Sequence, residues 1–342
     1  MNTLTLGSTG ITTPQNAFGA LPLQRIPEEL AIRLLRRAHE GGMVYFDTAR
    51  CYSNSEERVG KAFAGIRDEV FIATKTMATT PDAFWKDLET SLRNLQTDHI
   101  DVYQLHNIKQ CYRPDDGTGL YECLLEAKHQ GKIVHFGVTA HKIGVAEEAV
   151  ASGLYETMQF PFSYLSTPRE MALVDACVDA NMGFIVMKGM AGGLITRGRV
   201  AMAFMNEHPH ALPIWGIQRE KELDEWLSFM DETPELDDEM RAYIEREREE
   251  LAGNFCRSCG YCMPCPMDIS IKDCARMALM LRRAPTESWT TEHWQEEMAK
   301  IDDCIECRVC EDRCPYGLPV PELLKQNLED FRNVLAGKVN VR

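Results

Sequence analysis

From residue 16 to about 230 the chain alternates between two hydrophobic rhythms. Short, almost uninterrupted apolar runs stand at NAFGAL (16–21), MVYFDTA (43–49), VFIATK (70–75), IDVYQLH (100–106), IVHFGVTA (133–140), TMQFPFSYL (157–165), GFIVMKGM (183–190) and ALPIWGIQ (211–218). Between them lie amphipathic segments such as PEELAIRLLRRAHEGG and PDAFWKDLETSLRNLQ. A short continuous apolar run suits a strand buried on both faces, and apolar positions three and four apart make one face of a helix. In the second helical segment, Pro81 directly after two threonines is a favourable helix start. Strand-like runs alternating with helices predict a parallel α/β fold. Eight such units suit a closed (β/α)8 TIM barrel better than an open sheet. The opening LTLGSTGITT predicts a hairpin turning at Ser-Thr-Gly.

The rhythm stops after residue 230. DETPELDDEMRAYIEREREELAGNF reads as one charged helix ended by Gly253, its acidic run a solvated face. The rest is helical between and after two dense cysteine runs. The expected organisation is a barrel over 1–235, a linking helix over 236–252 and a small all-α domain over 253–342.

Of thirteen cysteines, eight fall in two runs: Cys256, Cys259, Cys262 and Cys265, then Cys304, Cys307, Cys310 and Cys314. The opening MNTLTLGSTGITTPQ has neither a basic region nor an apolar core, so no signal peptide is expected and a cytoplasmic protein is. An odd cysteine total in that setting argues against a disulfide framework and for metal. Cys-x2-Cys pairs can grip zinc, and two zinc ions are the alternative. The second run, Cys-x2-Cys-x2-Cys-x3-Cys-Pro, matches the bacterial ferredoxin pattern and favours iron–sulfur. That pattern assigns Cys256, Cys259 and Cys262 with Cys314 to one [4Fe–4S] cluster, and Cys304, Cys307 and Cys310 with Cys265 to a second. The first run departs from it, because two residues rather than three separate Cys262 from Cys265. Cys274, inside CARMALMLRRA, is expected to be a packed side chain.

At the C-terminal ends of barrel strands, where barrel enzymes keep their chemistry, stand polar groups that a core does not need. These are Asp47 and Tyr52 in DTARCY, Lys75, and His106. One such residue alone is more often structural; the four together form a proton-handling set. A carboxylate holds Lys75 charged, the ammonium favours the phenolate form of Tyr52, and the phenol becomes a usable proton donor. His106 can hydrogen-bond a substrate oxygen as negative charge builds on it. Such a site suits reduction of a carbonyl. Cys51 and His141 fit packing as well as pocket lining, and neither is given a catalytic role.

The segments DTARCYSNSEERVGKAF, FIATK, QLHN and AKHQGKIVHFGVTAH resemble characteristic stretches of the aldo-keto reductase family. With its cysteine tail, similar to the α-helical ferredoxin domains fused to larger oxidoreductases, the chain resembles the iron–sulfur branch of that family. The resemblance implies Asp47, Tyr52, Lys75 and His106 as a catalytic tetrad, with hydride from NADPH or NADH extended across the barrel mouth. It also implies cofactor contacts at Gly19, Thr139, Gln159, Met187, Lys188, Gly216, Arg219 and Glu222, with Thr139 and Gln159 where the family holds the carboxamide. Met187 departs from the stacking tyrosine of many members. Glu222 stands where an arginine often meets the 2′-phosphate of NADPH, which favours NADH, while Arg219 and Lys221 can reverse this.

Net charge of −15 makes nucleic acid a poor partner, and no apolar run is long enough to span a membrane. Three functions remain. One is a carbonyl/alcohol oxidoreductase whose clusters mainly hold the tail in place. Another is an electron-transfer enzyme whose clusters, with or without a flavin, link the barrel to a redox partner protein. The last is a redox-sensing nicotinamide-binding module, against which the intact tetrad argues.

Overall fold

Each of the expected apolar runs contains a strand. A computed structural model describes residues 1–251, 255–283 and 285–341, so the helix stop expected at Gly253 lies outside the described residues. The chain begins with the antiparallel pair β1 (Thr3–Thr5) and β2 (Thr12–Pro14), the expected hairpin. Then follow β3 (Ala17–Gly19), α1 (Glu28–Glu40), β4 (Tyr45–Asp47), α2 (Ser55–Phe63), β5 (Phe71–Thr76), α3 (Pro81–Leu95), β6 (Ile100–Leu105) and α4 (Leu120–His129). The series continues through β7 (Ile133–Thr139), α5 (Ile143–Ser152), β8 (Thr157–Pro161), α6 (Pro168–Asp179), β9 (Gly183–Met187), α7 (Gly198–Asn206), β10 (Ala211–Gly216) and α8 (Glu220–Asp231). Strands β3 to β10 pair in parallel, each with the next, and β10 returns to β3 with Gly216 opposite Gly19. The barrel is closed, so each of its eight strands is paired on both sides.

Local chemistry agrees with this order. Thr80 caps α3 by accepting from the Ala83 N–H, with Pro81 in the first turn. Helix α1 buries Ala31, Leu34, Leu35 and Ala38, an apolar stripe at helical spacing. The hairpin plugs the end at which the strands begin: Leu4, Leu6 and Ile11 pack with Ala17, Tyr45, Ala73, Val102, Ile185 and Leu212. Gly7 permits this contact. Its φ is +54°, and a Cβ there would stand 2.2 Å from the Gly183 nitrogen. With that end filled, the opposite end is left for chemistry.

The described chain divides into two compact units: Met1–Gly189 with Arg197–Ala242, and Met190–Thr196 with the chain from Tyr243 onward. Helix α9 (Asp238–Glu250) crosses the boundary and buries only Ile244 and Glu247, as a solvated charged helix should. The second unit continues with α10 (Ile271–Cys274), α11 (Met277–Arg283), α12 (Glu292–Ala299), α13 (Val309–Asp312) and α14 (Val320–Leu335). CARMALMLRRA, expected as helix, is thus interrupted at Ala275–Arg276. Asn327 of α14 satisfies the break: its Oδ1 accepts from the Ala278 N–H at 2.8 Å, and its amide donates to Ala275 O at 3.3 Å. Cys274 is fully buried among Met277, Leu281, Met298 and Ile301, as expected. Within this unit Arg283 donates to Glu247 at 2.6 Å and to the Leu194 carbonyl at 3.0 Å, tying in the short 190–196 segment. Among the described residues no helix is long and apolar enough to cross a membrane.

Candidate active site and cluster sites

Asp47 ends β4 and Lys75 lies on the neighbouring β5, so both reach the open end of the barrel. Lys75 Nζ donates to Asp47 Oδ1 at 2.6 Å, Asp47 Oδ2 at 2.7 Å and Thr48 O at 2.6 Å. These contacts give the buried Lys75 nitrogen an acceptor for each of the three protons an ammonium can donate. Burial pushes the Asp47 carboxyl above its ordinary value, against the downward pull of Lys75 and the Gln159 side chain.

Tyr52 arrives on the turn between β4 and α2. That turn is pinned by backbone bonds from Arg50 N–H to Lys75 O at 2.9 Å and from Tyr52 N–H to Ala49 O at 3.0 Å. Arg50 also donates to Glu56 at 2.6 Å. The Glu56 carboxylate, 1% exposed, further accepts from Thr74 at 2.7 Å, Ser91 at 2.6 Å and Asn94 at 3.1 Å. Glu56 is not among the residues the sequence singled out, and an acidic residue in a first helical turn gives no signal of such burial. Lys75 Nζ lies 5.7 Å from the Tyr52 ring centroid.

His106 follows β6, its backbone N–H bonded to Thr76 O at 2.8 Å. Its ring stands edge-on to Tyr52, with centroids 5.9 Å apart. Cys51 Sγ lies 3.4 Å from Nδ1. Burial first, then Lys75 and Lys109, push the imidazole pKa down to about 3, so the ring is neutral at ordinary pH. The structure therefore gathers all four tetrad candidates at adjacent strand ends.

The expected cofactor residues ring the same mouth. Gly19, Thr139, Met187 and Gly216 are the last residues of β3, β7, β9 and β10. Lys188 follows Met187 with a left-handed φ of 59°. The Thr139 hydroxyl accepts from the Asn107 N–H at 2.6 Å. Gln159 Oε1 accepts from Gln104 Nε2 at 2.9 Å inside the barrel. Arg219 precedes α8, where Glu222 Oε2 accepts from the Gln218 and Arg219 N–H groups at 2.9 and 3.0 Å. One oxygen of that carboxylate thus caps a helix, and the Arg219 guanidinium stands 3.9 Å from the other.

In the second unit the cysteines line two hollows. Cys256, Cys259, Cys262 and Cys314 line one with Ile271, Leu318 and Val320. Cys265, Cys304, Cys307 and Cys310 line the other with Ile305, Pro321 and Leu324, and Cys262 borders both. Among the described residues no three ligating side chains are placed to hold a single metal ion. Four thiols around an apolar hollow are a donor set that fits a [4Fe–4S] cluster, and by donor type the same four could also hold one zinc ion. Burial and the neighbouring Cys256, Cys259 and Cys314 push the Cys262 thiol up to about 12, a cost that metal–sulfur bonding would offset. Arg276, 4% exposed, lies close enough to Cys256 for their charges to interact, and its Nη2 is 3.0 Å from Met280 Sδ.

Comparison with known proteins agrees with both units. Residues 3–211 match the Aldo/keto reductase family, and residues 255–319 match a 4Fe-4S dicluster domain. The chain is 28% identical over 221 residues to the uncharacterized oxidoreductase YrpG of Bacillus subtilis, covering 56% of this chain and 67% of that one. It is 34% identical over 144 residues to methylglyoxal reductase DkgB of Salmonella typhi, covering 40% of this chain and 52% of that one. The alignments thus span two thirds of one relative and about half of the other. An aldo-keto reductase from Klebsiella pneumoniae, solved in complex with NADPH, shares the fold with a TM-score of 0.60 at 22% identity, over 72% of this chain and 94% of that one. The chain belongs to the aldo/keto reductase family of oxidoreductases, and C-terminal to the barrel sequence it carries a 4Fe-4S dicluster domain.

Proposed function

We propose that this protein interconverts a small carbonyl compound and its alcohol with a nicotinamide cofactor, using Tyr52 as the proton donor. The observation that carries this reading is the sealed Lys75–Asp47 pair beside the Tyr52 ring, with a neutral His106 at the same mouth. The nicotinamide, when bound, supplies a hydride to the carbonyl carbon. Tyr52 O–H gives its proton to the carbonyl oxygen, and the fixed Lys75 charge stabilises the phenolate that remains. A neutral His106 donates one hydrogen bond to that oxygen without competing for the proton. Thr139, Met187, Lys188 and the two strand-end glycines would seat the cofactor. In the structure Gln159 is already engaged by Gln104 inside the barrel. The Klebsiella relative's complex with NADPH and the name of DkgB support NADPH and methylglyoxal as first reagents.

The two cysteine-lined hollows support two [4Fe–4S] clusters with the ligand sets Cys256, Cys259, Cys262, Cys314 and Cys265, Cys304, Cys307, Cys310. A second reading, in which the clusters pass electrons to a redox partner protein, is favoured by the exposure of Cys307 beside Ile305, itself 61% exposed.

The test follows anaerobically purified protein and its Tyr52→Phe variant with NADPH or NADH and a carbonyl panel, reading nicotinamide and cluster absorbance together. Carbonyl-dependent oxidation that vanishes in Tyr52→Phe while nucleotide still binds supports the reductase. Undiminished turnover in the variant overturns it. Cluster bleaching by nicotinamide alone supports the second reading.

A further inference from the structure

We propose that the Cys51 thiol is a positioning residue that sets the tautomer of His106. It donates its S–H to Nδ1, so that the single ring proton sits on Nε2, the nitrogen left to hydrogen-bond a substrate oxygen. The inference rests on the reading of His106 given above.

A neutral imidazole has one N–H and one bare nitrogen, and the hydrogen bond made by one decides the state of the other. At 3.4 Å, Cys51 Sγ is within hydrogen-bonding range of Nδ1, and among the described residues it is the hydrogen-bond partner found for that ring. Lys75 and Lys109 both oppose a charged ring. The direction of the bond follows from sulfur chemistry. A thiol is a weak donor and its sulfur a weak acceptor, but the bare imidazole nitrogen is a strong acceptor, so S–H to that nitrogen is the better of the two arrangements. Cys51 is exposed at the mouth, yet desolvation of its thiol outweighs the pull of Lys75 and Arg50 and raises it above its ordinary value, which keeps the proton on sulfur.

The thiol is also held in place. Cys51 lies between Arg50, whose N–H is bonded to Lys75 O and whose guanidinium is bonded to Glu56, and Tyr52, whose N–H is bonded to Ala49 O. One pinned turn thus delivers both the proton donor of the reaction and the group that orients its neighbour. Sequence gave no hint of this, because the two residues are 55 positions apart.

The first test needs no turnover: nitrogen-15 NMR of the histidine-labelled full chain, with His106→Gln to assign the signals. Wild type should show a bare, acceptor-type Nδ1 and a protonated Nε2, and Cys51→Ala should show a mixture. A protonated Nδ1 in wild type, or an unchanged tautomer in Cys51→Ala, would overturn the proposal whether or not any carbonyl is reduced. Where carbonyl turnover is present, kcat of Cys51→Ala should fall about three- to tenfold, the worth of one modest hydrogen bond, with KM little changed. Cys51→Ser, which keeps a donor, should recover most of that loss. A serine variant no better than alanine would also overturn the proposal. Failure of the carbonyl-reductase reading would show separately, as wild type that never consumes nicotinamide.

Discussion

Lys75 Nζ lies 2.6 Å from Asp47 Oδ1, and the two side chains are 0% and 3% exposed. Removing one member of so enclosed a pair leaves an uncompensated charge in the barrel. Lys75→Met should therefore cost about 3–5 kcal/mol in chemical denaturation. The double variant Asp47→Asn, Lys75→Met should recover part of that loss, because no lone charge remains.

His106 should make stability depend on acid. Its folded pKa of about 3 lies below the ordinary 6.5, so in that window the unfolded chain binds more protons. His106 therefore destabilises the fold progressively as pH falls from about 6.5 toward 3, and costs nothing above that range. His141, also depressed by burial and by Lys188, has the same sign. Denaturant midpoints at pH 5 and pH 8 should differ less in His106→Gln than in wild type.

Glu56 is expected to hold the turn that carries Tyr52 in place. Glu56→Ala strips acceptors from Thr74, Ser91, Asn94 and Arg50, and should cost about 2–4 kcal/mol of stability. It should also lower kcat by loosening Tyr52. Thermal melts and steady-state rates check both.

Nucleotide choice should depend on Arg219 and Glu222. Arg219→Ala should weaken NADPH more than NADH. Glu222→Gln, which keeps a capping oxygen but loses its charge, should shift preference toward NADPH. The ratio of kcat/KM for the two nucleotides reads each change.

In the second unit, Cys314→Ser and Cys265→Ser should each remove one cluster, lowering bound iron from about eight to about four per chain. Arg276→Met removes a buried positive charge beside Cys256. It should lower the reduction potential of one cluster and leave the other unchanged, as followed by electron paramagnetic resonance at set potentials. Equal shifts in both would contradict the two ligand sets.

Most of the barrel was legible because parallel strands covered on both faces leave uninterrupted apolar runs, and because Asp47, Tyr52, Lys75 and His106 all fall where such runs end. What escaped notice depends on distant chain. Glu56 carries no local signal, because Thr74, Ser91 and Asn94, which close around it, lie 18 to 38 positions away. Gln104 was one polar residue in an apolar run, and its pairing with Gln159 reaches past β7, from β6 to β8. The break between α10 and α11 is satisfied by Asn327, about fifty positions downstream, so local propensity alone reads straight through it. The cysteine runs, by contrast, are local signals, and their thiols stand around the two hollows, with Cys262 bordering both.

The residues from Met190 to Thr196 have a consequence in time. They emerge between β9 and α7, yet they pack with the second unit, where Arg283 holds the Leu194 carbonyl. During synthesis at ~5–20 residues per second, Arg283 follows Leu194 by about 4–18 s. The last barrel strand is made well before that, so this loop must wait, unanchored, on an otherwise complete barrel. Cutting the chain after Ala242 would make the wait permanent, and the truncated barrel should be nicked by protease within 190–196 before anywhere else.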